Sequence, residues 1–284
     1  MTVAVIADSA ASLPPALAAS RGIAVVPLQV TVHGLASPEG TVIGPADVVA
    51  HLRAGDAVST SQPTPAAFDE AIASAAAAGA TGVVLVAMAG TLSGTADAAR
   101  AAASRATIPV EVVDTRTVAM AEGLAALAAA DAAAAGGSLA DVAEVARRVA
   151  LGSRTAFTVD TLEHLRRGGR IGPTVAAVGR VLGIRPVLAL VDGEIGLAGR
   201  VRTTARARAA LHVAVDDALA GLSRPAVAVM GVGCAEDVAE AARAIEQRHP
   251  ELGTVATAEV SAVLAVHAGP GAMGIAVADL DARG

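Results

Sequence analysis

Hydroxyl, imidazole and guanidinium side chains recur beside glycine and proline at four places in this chain. These are Thr60-Ser61-Gln62-Pro63, Leu92-Ser93-Gly94-Thr95, Gly168-Gly169-Arg170-Ile171 and His267-Ala268-Gly269-Pro270-Gly271. Serine, threonine and histidine donate hydrogen bonds to an anion, and arginine matches oxyanions with a rigid fork. Glycine lets a ligand or a second backbone approach closely. The apolar run Val83–Met88 leads through Ala89-Gly90-Thr91-Leu92-Ser93-Gly94-Thr95 into an alanine-rich stretch. A strand, a small-residue loop and a helix N-terminus in that order suit a carboxylate or phosphate. The bland alternative is that Ser93 or Thr95 caps the helix.

The other candidates carry the same two readings. Thr161–Ile171 reads as a helical turn, with Leu162 and Leu165 inward, closed by two glycines that put Arg170 on a tight turn. Thr64 and Pro65 suit the N-cap and first position of a helix, which leaves the Thr60 hydroxyl free of capping. His267 stands among small residues at a sharp Gly-Pro-Gly loop. Arg202, in Arg200-Val201-Arg202-Thr203-Thr204, faces solvent or holds a second anion. Asp8-Ser9 follows the first apolar run, where a carboxylate holds neighbouring loops or caps a helix. A hydrolase would need Ser93, His267 and an aspartate such as Asp8 or Asp160. Gly90-Thr91-Leu92-Ser93-Gly94 is Gly-x-x-Ser-Gly, however, and not the Gly-x-Ser-x-Gly nucleophile elbow.

Composition removes whole classes of chemistry. All 21 basic residues are arginine, so no lysine is present for a P-loop, a kinase active site or a Schiff base. Cys234 is the single cysteine, which excludes internal disulfides and cysteine-cluster zinc sites. The six histidines form no His-Glu-x-x-His pattern, and no metal site is expected. A net charge of −6 without a basic tail argues against nucleic acid and anionic membrane surfaces. The first residues lack a basic n-region, and the apolar stretch Val260–Ala278 is broken by His267, Pro270 and three glycines. No transmembrane span and a cytoplasmic location are therefore expected.

The elements that must position these loops follow from periodicity. Val3–Ala7, Ala24–Val30, Val83–Met88, Val110–Val113 and Ala156–Val159 read as buried strands. Pro14–Ala19, Ala66–Ala78, Ala96–Ala103, Glu122–Ala134 and Leu139–Ala150 read as helices. That alternation predicts an α/β fold with a largely parallel sheet. From Arg185 the pattern changes. Pro186–Val191 and Glu194–Ala198 flank the hairpin signal Asp192-Gly193. Helices over Ala205–Ala220 and Glu236–Arg248 and strands over Ala226–Gly231, Thr254–Glu259 and Met273–Ala278 complete a mixed sheet. Two α/β domains, 1–151 and 152–284, are expected.

Taken in order, these motifs resemble the DegV family. The likeness begins at Asp8-Ser9-Ala10-Ala11-Ser12-Leu13-Pro14 and includes Val26-Pro27-Leu28, Val113-Asp114-Thr115, Asp160–Leu165, Arg185-Pro186 and Val201-Arg202-Thr203 beside the four loops above. The resemblance implies two α/β domains with one long-chain fatty acid bound between them, and no cofactor. It implies a carboxylate held by Thr60, Ser93 and His267, with Asp8, Ser9, Gly94 and Thr95 in support. It implies that Arg170 and Arg202 serve a phosphorylated head group or the partner, a dihydroxyacetone-kinase-like fatty acid kinase subunit. The protein would then be a lipid-binding accessory subunit and not itself an enzyme. The alternatives are a serine-type lipid hydrolase and a lipid-binding regulator without a kinase. Relative to the family pattern, Ala89-Gly90, Ala96 and Ala268 stand where hydroxyls or an aromatic ring are common.

Overall fold

Strand and helix alternate from the N-terminus, because buried β-branched runs of four to seven residues are separated by alanine-rich stretches that favour helix. The computed structural model describes residues 2–178 and 184–281. The first half runs β1 (Val3–Asp8), α1 (Pro15–Ser20), β2 (Ala24–Val26), β3 (Gln29–Val32), β4 (Leu35–Pro38), α2 (Pro45–Ala54), β5 (Val58–Ser61), α3 (Pro65–Ala77), β6 (Gly82–Ala87), α4 (Thr95–Ala103), β7 (Val110–Asp114), α5 (Met120–Ala134) and α6 (Leu139–Gly152). The second runs β8 (Arg154–Thr158), α7 (Glu163–Arg167), α8 (Pro173–Val178), β9 (Arg185–Val191), β10 (Glu194–Val201), α9 (Thr204–Leu219), β11 (Pro225–Gly231), α10 (Ala235–Arg248), β12 (Ala256–Glu259), α11 (Ala262–Ala268) and β13 (Met273–Asp279).

Three sheets result. The first is wholly parallel, in the order β2-β1-β6-β7. The second is mixed, in the order β10-β9-β8-β13-β11-β12, with only β11 and β12 parallel. The third is a small antiparallel sheet, β4-β3-β5, which the sequence pattern does not mark. The expected single strand Ala24–Val30 is cut in two at Pro27. Proline has no N–H for a ladder, so the chain leaves the parallel sheet after Val26 and enters the small sheet at Gln29. The Leu28 N–H is satisfied instead by Ser9 Oγ at 2.8 Å.

The layers follow from alternation along the strands. Val3, Val5 and Ala7 of β1 face a central core and Ile6 faces an outer one. On β13, Ala276 and Ala278 face the centre while Met273, Ile275 and Val277 face outward. Helices α3 and α4 cover the outer face of the parallel sheet, and α9 and α10 cover the outer face of the mixed sheet. Between the two sheets lie α5 and α6, each touching strands of both. Helix α5 is buried on every side from Met120 to Ala126, so its alanines let both sheets approach closely. One apolar cluster thus draws on both halves of the chain.

Candidate functional site

The cavity lies where the inner face of the mixed sheet meets the loops after β5 and β6. It encloses about 930 Å³ of empty space, counting its open mouth. That falls within the roughly 300–1,000 Å³ of small-molecule sites. Its walls are aliphatic: Leu28, Leu92, Leu165, Leu190, Ile195 and Val263 come from six different segments. Phe157 is the one phenyl ring among the lining residues. Thr60, Ser93, Arg170 and His267 line the same space. Residues up to 207 positions apart in the sequence are therefore brought to one polar end, two from the chain before residue 151 and two from after it.

Each polar group is held by its element. Thr60 lies on β5, paired with Val30, and its Oγ1 is 2.8 Å from His267 Nε2. Thr64 and Pro65 take the N-cap and first positions of α3, as expected, which leaves Thr60 free for this contact. His267 lies in the last turn of α11, whose start is capped by Ser261 accepting from the Leu264 N–H. Its Nδ1 is buried and without a partner. Burial, followed by the charge of Arg170 and the nearby His164, pushes the His267 imidazole down to about 4. The ring is thus neutral at pH 7, with one N–H to donate. If Nε2 carries it toward Thr60 Oγ1, the threonine hydroxyl is left to donate into the cavity.

Arg170 stands on the turn after α7, at which Gly169 has φ +71°. Its Nε donates to the Leu92 carbonyl at 3.1 Å, and Nη1 donates to the Gly168 carbonyl. These bonds tie its side chain to the loop bearing Ser93. No carboxylate pairs with Arg170 among the described residues, so its charge is open to an anion. Gly168 has no room for a side chain, because a Cβ there would collide with His267 Nδ1. Gly269, at φ +79°, lies as close to the His164 ring. The glycines of both motifs exist to let the two loops meet.

Ser93 Oγ is 2.8 Å from Thr95 Oγ1 and accepts from the Thr95 N–H at 3.3 Å. A Cβ at Gly94 would collide with Gln62 Oε1, which brings the hydroxyl loops after β5 and β6 side by side. A second, polar cleft adjoins the cavity and shares Leu92, Ser93, Arg170 and Ile195 with it. Arg170 therefore faces both the apolar interior and the outer cleft.

Other sequence candidates lie elsewhere. Asp8 is fully buried and accepts from the Ala10 N–H at 2.9 Å and the Met88 N–H at 2.8 Å. Burial pushes its carboxyl up to about 7. Ser9 donates to buried Glu39, which also accepts from the Val263 N–H at 2.9 Å. Asp8 and Ser9 thus hold the loops that frame the cavity without lining it. Arg202 is exposed between β10 and α9, and lines neither the cavity nor the outer cleft. Of the positions that differ from the family pattern, Gly90 is packed so tightly that a Cβ would meet Asp114, Ala96 is wholly buried, and Ala268 lines the cavity.

The hydrolase arrangement is not formed. His267 Nε2 engages Thr60 and not Ser93, and no aspartate orients Nδ1. No described helix is long and apolar enough to cross a membrane.

Two α/β sheets joined through a shared helical layer, around an aliphatic cavity closed by hydroxyls, a neutral imidazole and an unpaired arginine, define a protein built about a ligand-sized apolar chamber. A model of the DegV family matches residues 2–280, and the chain belongs to that family. A DegV domain-containing protein of Streptomyces coelicolor is 40% identical over 275 residues, 97% of this chain and 98% of the relative. Among solved structures, a DegV family protein from Thermus thermophilus described by its fatty acid binding superposes with a TM-score of 0.87 at 32% identity, over 98% of this chain and 100% of the other. DegV of Bacillus subtilis, a fatty acid binding protein, has a TM-score of 0.88 at 26% identity, over 98% and 99%.

Proposed function

We propose that this protein binds one long-chain fatty acid, tail in the aliphatic cavity and carboxylate at Thr60, Ser93 and His267. The observation that carries the reading is a cavity with largely aliphatic walls that also brings together Thr60, Ser93, His267 and Arg170, the last without a carboxylate partner among the described residues. The fatty acid binding named for the Thermus and Bacillus relatives supports it. About fourteen buried methylenes at roughly 0.8 kcal/mol each contribute a gross term near 11 kcal/mol before ordering costs. The tail supplies affinity and the head group supplies orientation. A buried carboxylate needs donors, and two hydroxyls with an imidazole behind one of them meet that need. No cofactor is invoked.

The finer reading is that the carboxylate is presented at the outer cleft to a separate, dihydroxyacetone-kinase-like subunit that forms the acyl phosphate. Arg170, which faces that cleft, would compensate the added charge, and exposed Arg202 would contact the phosphate or the partner.

Mass spectrometry of lipid extracted from the protein purified without added ligand tests the binding. One equivalent of fatty acid is expected. An empty protein that takes up none of a panel of fatty acids overturns the proposal. Acyl-phosphate formation with ATP and a kinase subunit, trapped with hydroxylamine, tests presentation. A double Arg170→Ala, Arg202→Ala variant that turns over normally refutes the role given to the arginines.

A further inference from the structure

Three metal-ligating side chains meet outside the cavity, at the free end of the small sheet. His33 sits on the β3–β4 turn at φ +52°, followed by Gly34 at φ +80°. His51 lies in the last turn of α2, and Asp56 follows the Gly55 that ends it. His51 Nδ1 is 2.7 Å and His33 Nε2 is 3.6 Å from the same carboxylate oxygen, Asp56 Oδ2. The two rings meet edge to face with centroids 5.8 Å apart. One ligand atom from each residue falls within 4.8 Å of the other two.

We propose that His33, His51 and Asp56 form a binding site for a first-row divalent cation, Zn²⁺ being the probe of choice. Two imidazoles and one carboxylate are a donor set that suits zinc, nickel and copper, while calcium and magnesium prefer all-oxygen sites. Ligands about 2.0–2.2 Å from a tetrahedral zinc are about 3.4 Å from one another. The His33–Asp56 separation of 3.6 Å need close by only about 0.2 Å, and the His51–Asp56 pair must open by about 0.7 Å. The hydrogen now between Nδ1 and the carboxylate leaves Nδ1 by tautomerisation of the neutral ring, freeing its lone pair. His33 is 69% exposed, so its side of the cluster is open to solvent for entry and for water as the remaining ligand.

The site has a structural consequence near the cavity. A bound cation would tie the β3–β4 turn and α2 to the segment entering β5, which carries Thr60. Helix α2 also packs on α11, which carries His267. The cation would brace both elements of the polar end without touching the ligand.

The experiment is calorimetric titration of untagged, chelator-treated protein with Zn²⁺, paired with thermal melts. One equivalent is expected to bind at micromolar concentration or below, with a rise in Tm. His33→Asn, which tolerates the positive φ, and His51→Gln should each weaken binding by about tenfold or more. His249→Gln should not, although His249 contacts Asp216 and Glu251 elsewhere on the surface. Absence of saturable binding, or binding unchanged in His33→Asn, overturns the proposal. So does binding abolished only by His249→Gln.

Discussion

Thr60→Val separates a head-group role from a packing role at the polar end of the cavity. Valine keeps the shape and the strand preference of threonine, so β5 and its pairing with β3 are retained. What is lost is the hydroxyl 2.8 Å from His267 Nε2. Since Nδ1 already has no partner, both ring nitrogens then lack one in the free protein. That costs about 1–3 kcal/mol of stability, the penalty for an unsatisfied buried polar group. In the proposed complex, the carboxylate would lose a hydrogen bond to a charged group, worth about 1.5–3 kcal/mol. The dissociation constant should then rise by about 10- to 150-fold. A fatty acid methyl ester carries no charge and should lose only the neutral bond, about 1 kcal/mol or roughly fivefold. Isothermal titration of delipidated wild type and variant with the acid and its ester reads both numbers. Equal losses for acid and ester, or a loss below about threefold for the acid, would refute the assignment of Thr60 to the carboxylate.

Other outcomes follow from the same geometry. Gly168→Ala is acceptable to the backbone, but its Cβ meets His267 Nδ1. Displacing the ring should cost about 1–3 kcal/mol in stability and lower fatty acid affinity, read from melts and titration together. Phe68, fully buried between α3 and the outer face of the parallel sheet, lies away from the cavity. Phe68→Ala should lose about 3–5 kcal/mol in denaturant unfolding while the folded fraction keeps its lipid affinity. Glu122 is buried beside Asp8 with neither carboxyl oxygen in a conventional hydrogen bond. Burial, then the Asp8 charge, holds it well above the carboxylate range, while Asp8 itself is raised to about 7. Between pH 4 and 7 the folded chain therefore keeps protons that the unfolded chain releases, and this pair makes stability fall as pH rises. Glu122→Gln removes one of the two groups and lets an amide donate to Asp8. Its stability relative to wild type should increase from pH 4 to pH 7 in parallel urea titrations; a flat difference would show that the pair does not titrate in that window.

Much of the fold was legible because its signals are local. The hairpin at Asp192-Gly193 forms as expected, with both residues at positive φ. Pro65 opens α3, and the Gly168-Gly169 pair closes α7. The small sheet was missed because β3, β4 and β5 are only four residues each and half-exposed, so no apolar period marks them. Helix α11 was hidden inside the apolar stretch Val260–Ala278, although Ser261 before Ala262 is an N-cap signal. At the site, Thr60, Ser93, Arg170 and His267 could be picked out because glycine and proline flank them. Their pairing could not: the contact of Thr60 with His267 spans 207 positions and depends on where α11 packs. The His33, His51 and Asp56 cluster had no sequence signature, since a turn, a helix end and a loop supply one residue each.

From Met120 to Ala126 helix α5 presents no side to water: one sheet packs on it from each direction, and that stretch is laid open if either sheet departs. Neither sheet can melt alone without exposing that helix, so the two halves share one cooperative unit. Heat or denaturant should take the protein apart in a single transition, with probes in the parallel sheet and the mixed sheet reporting the same midpoint. A chain that looks like two lobes in topology would then behave as one in thermodynamics.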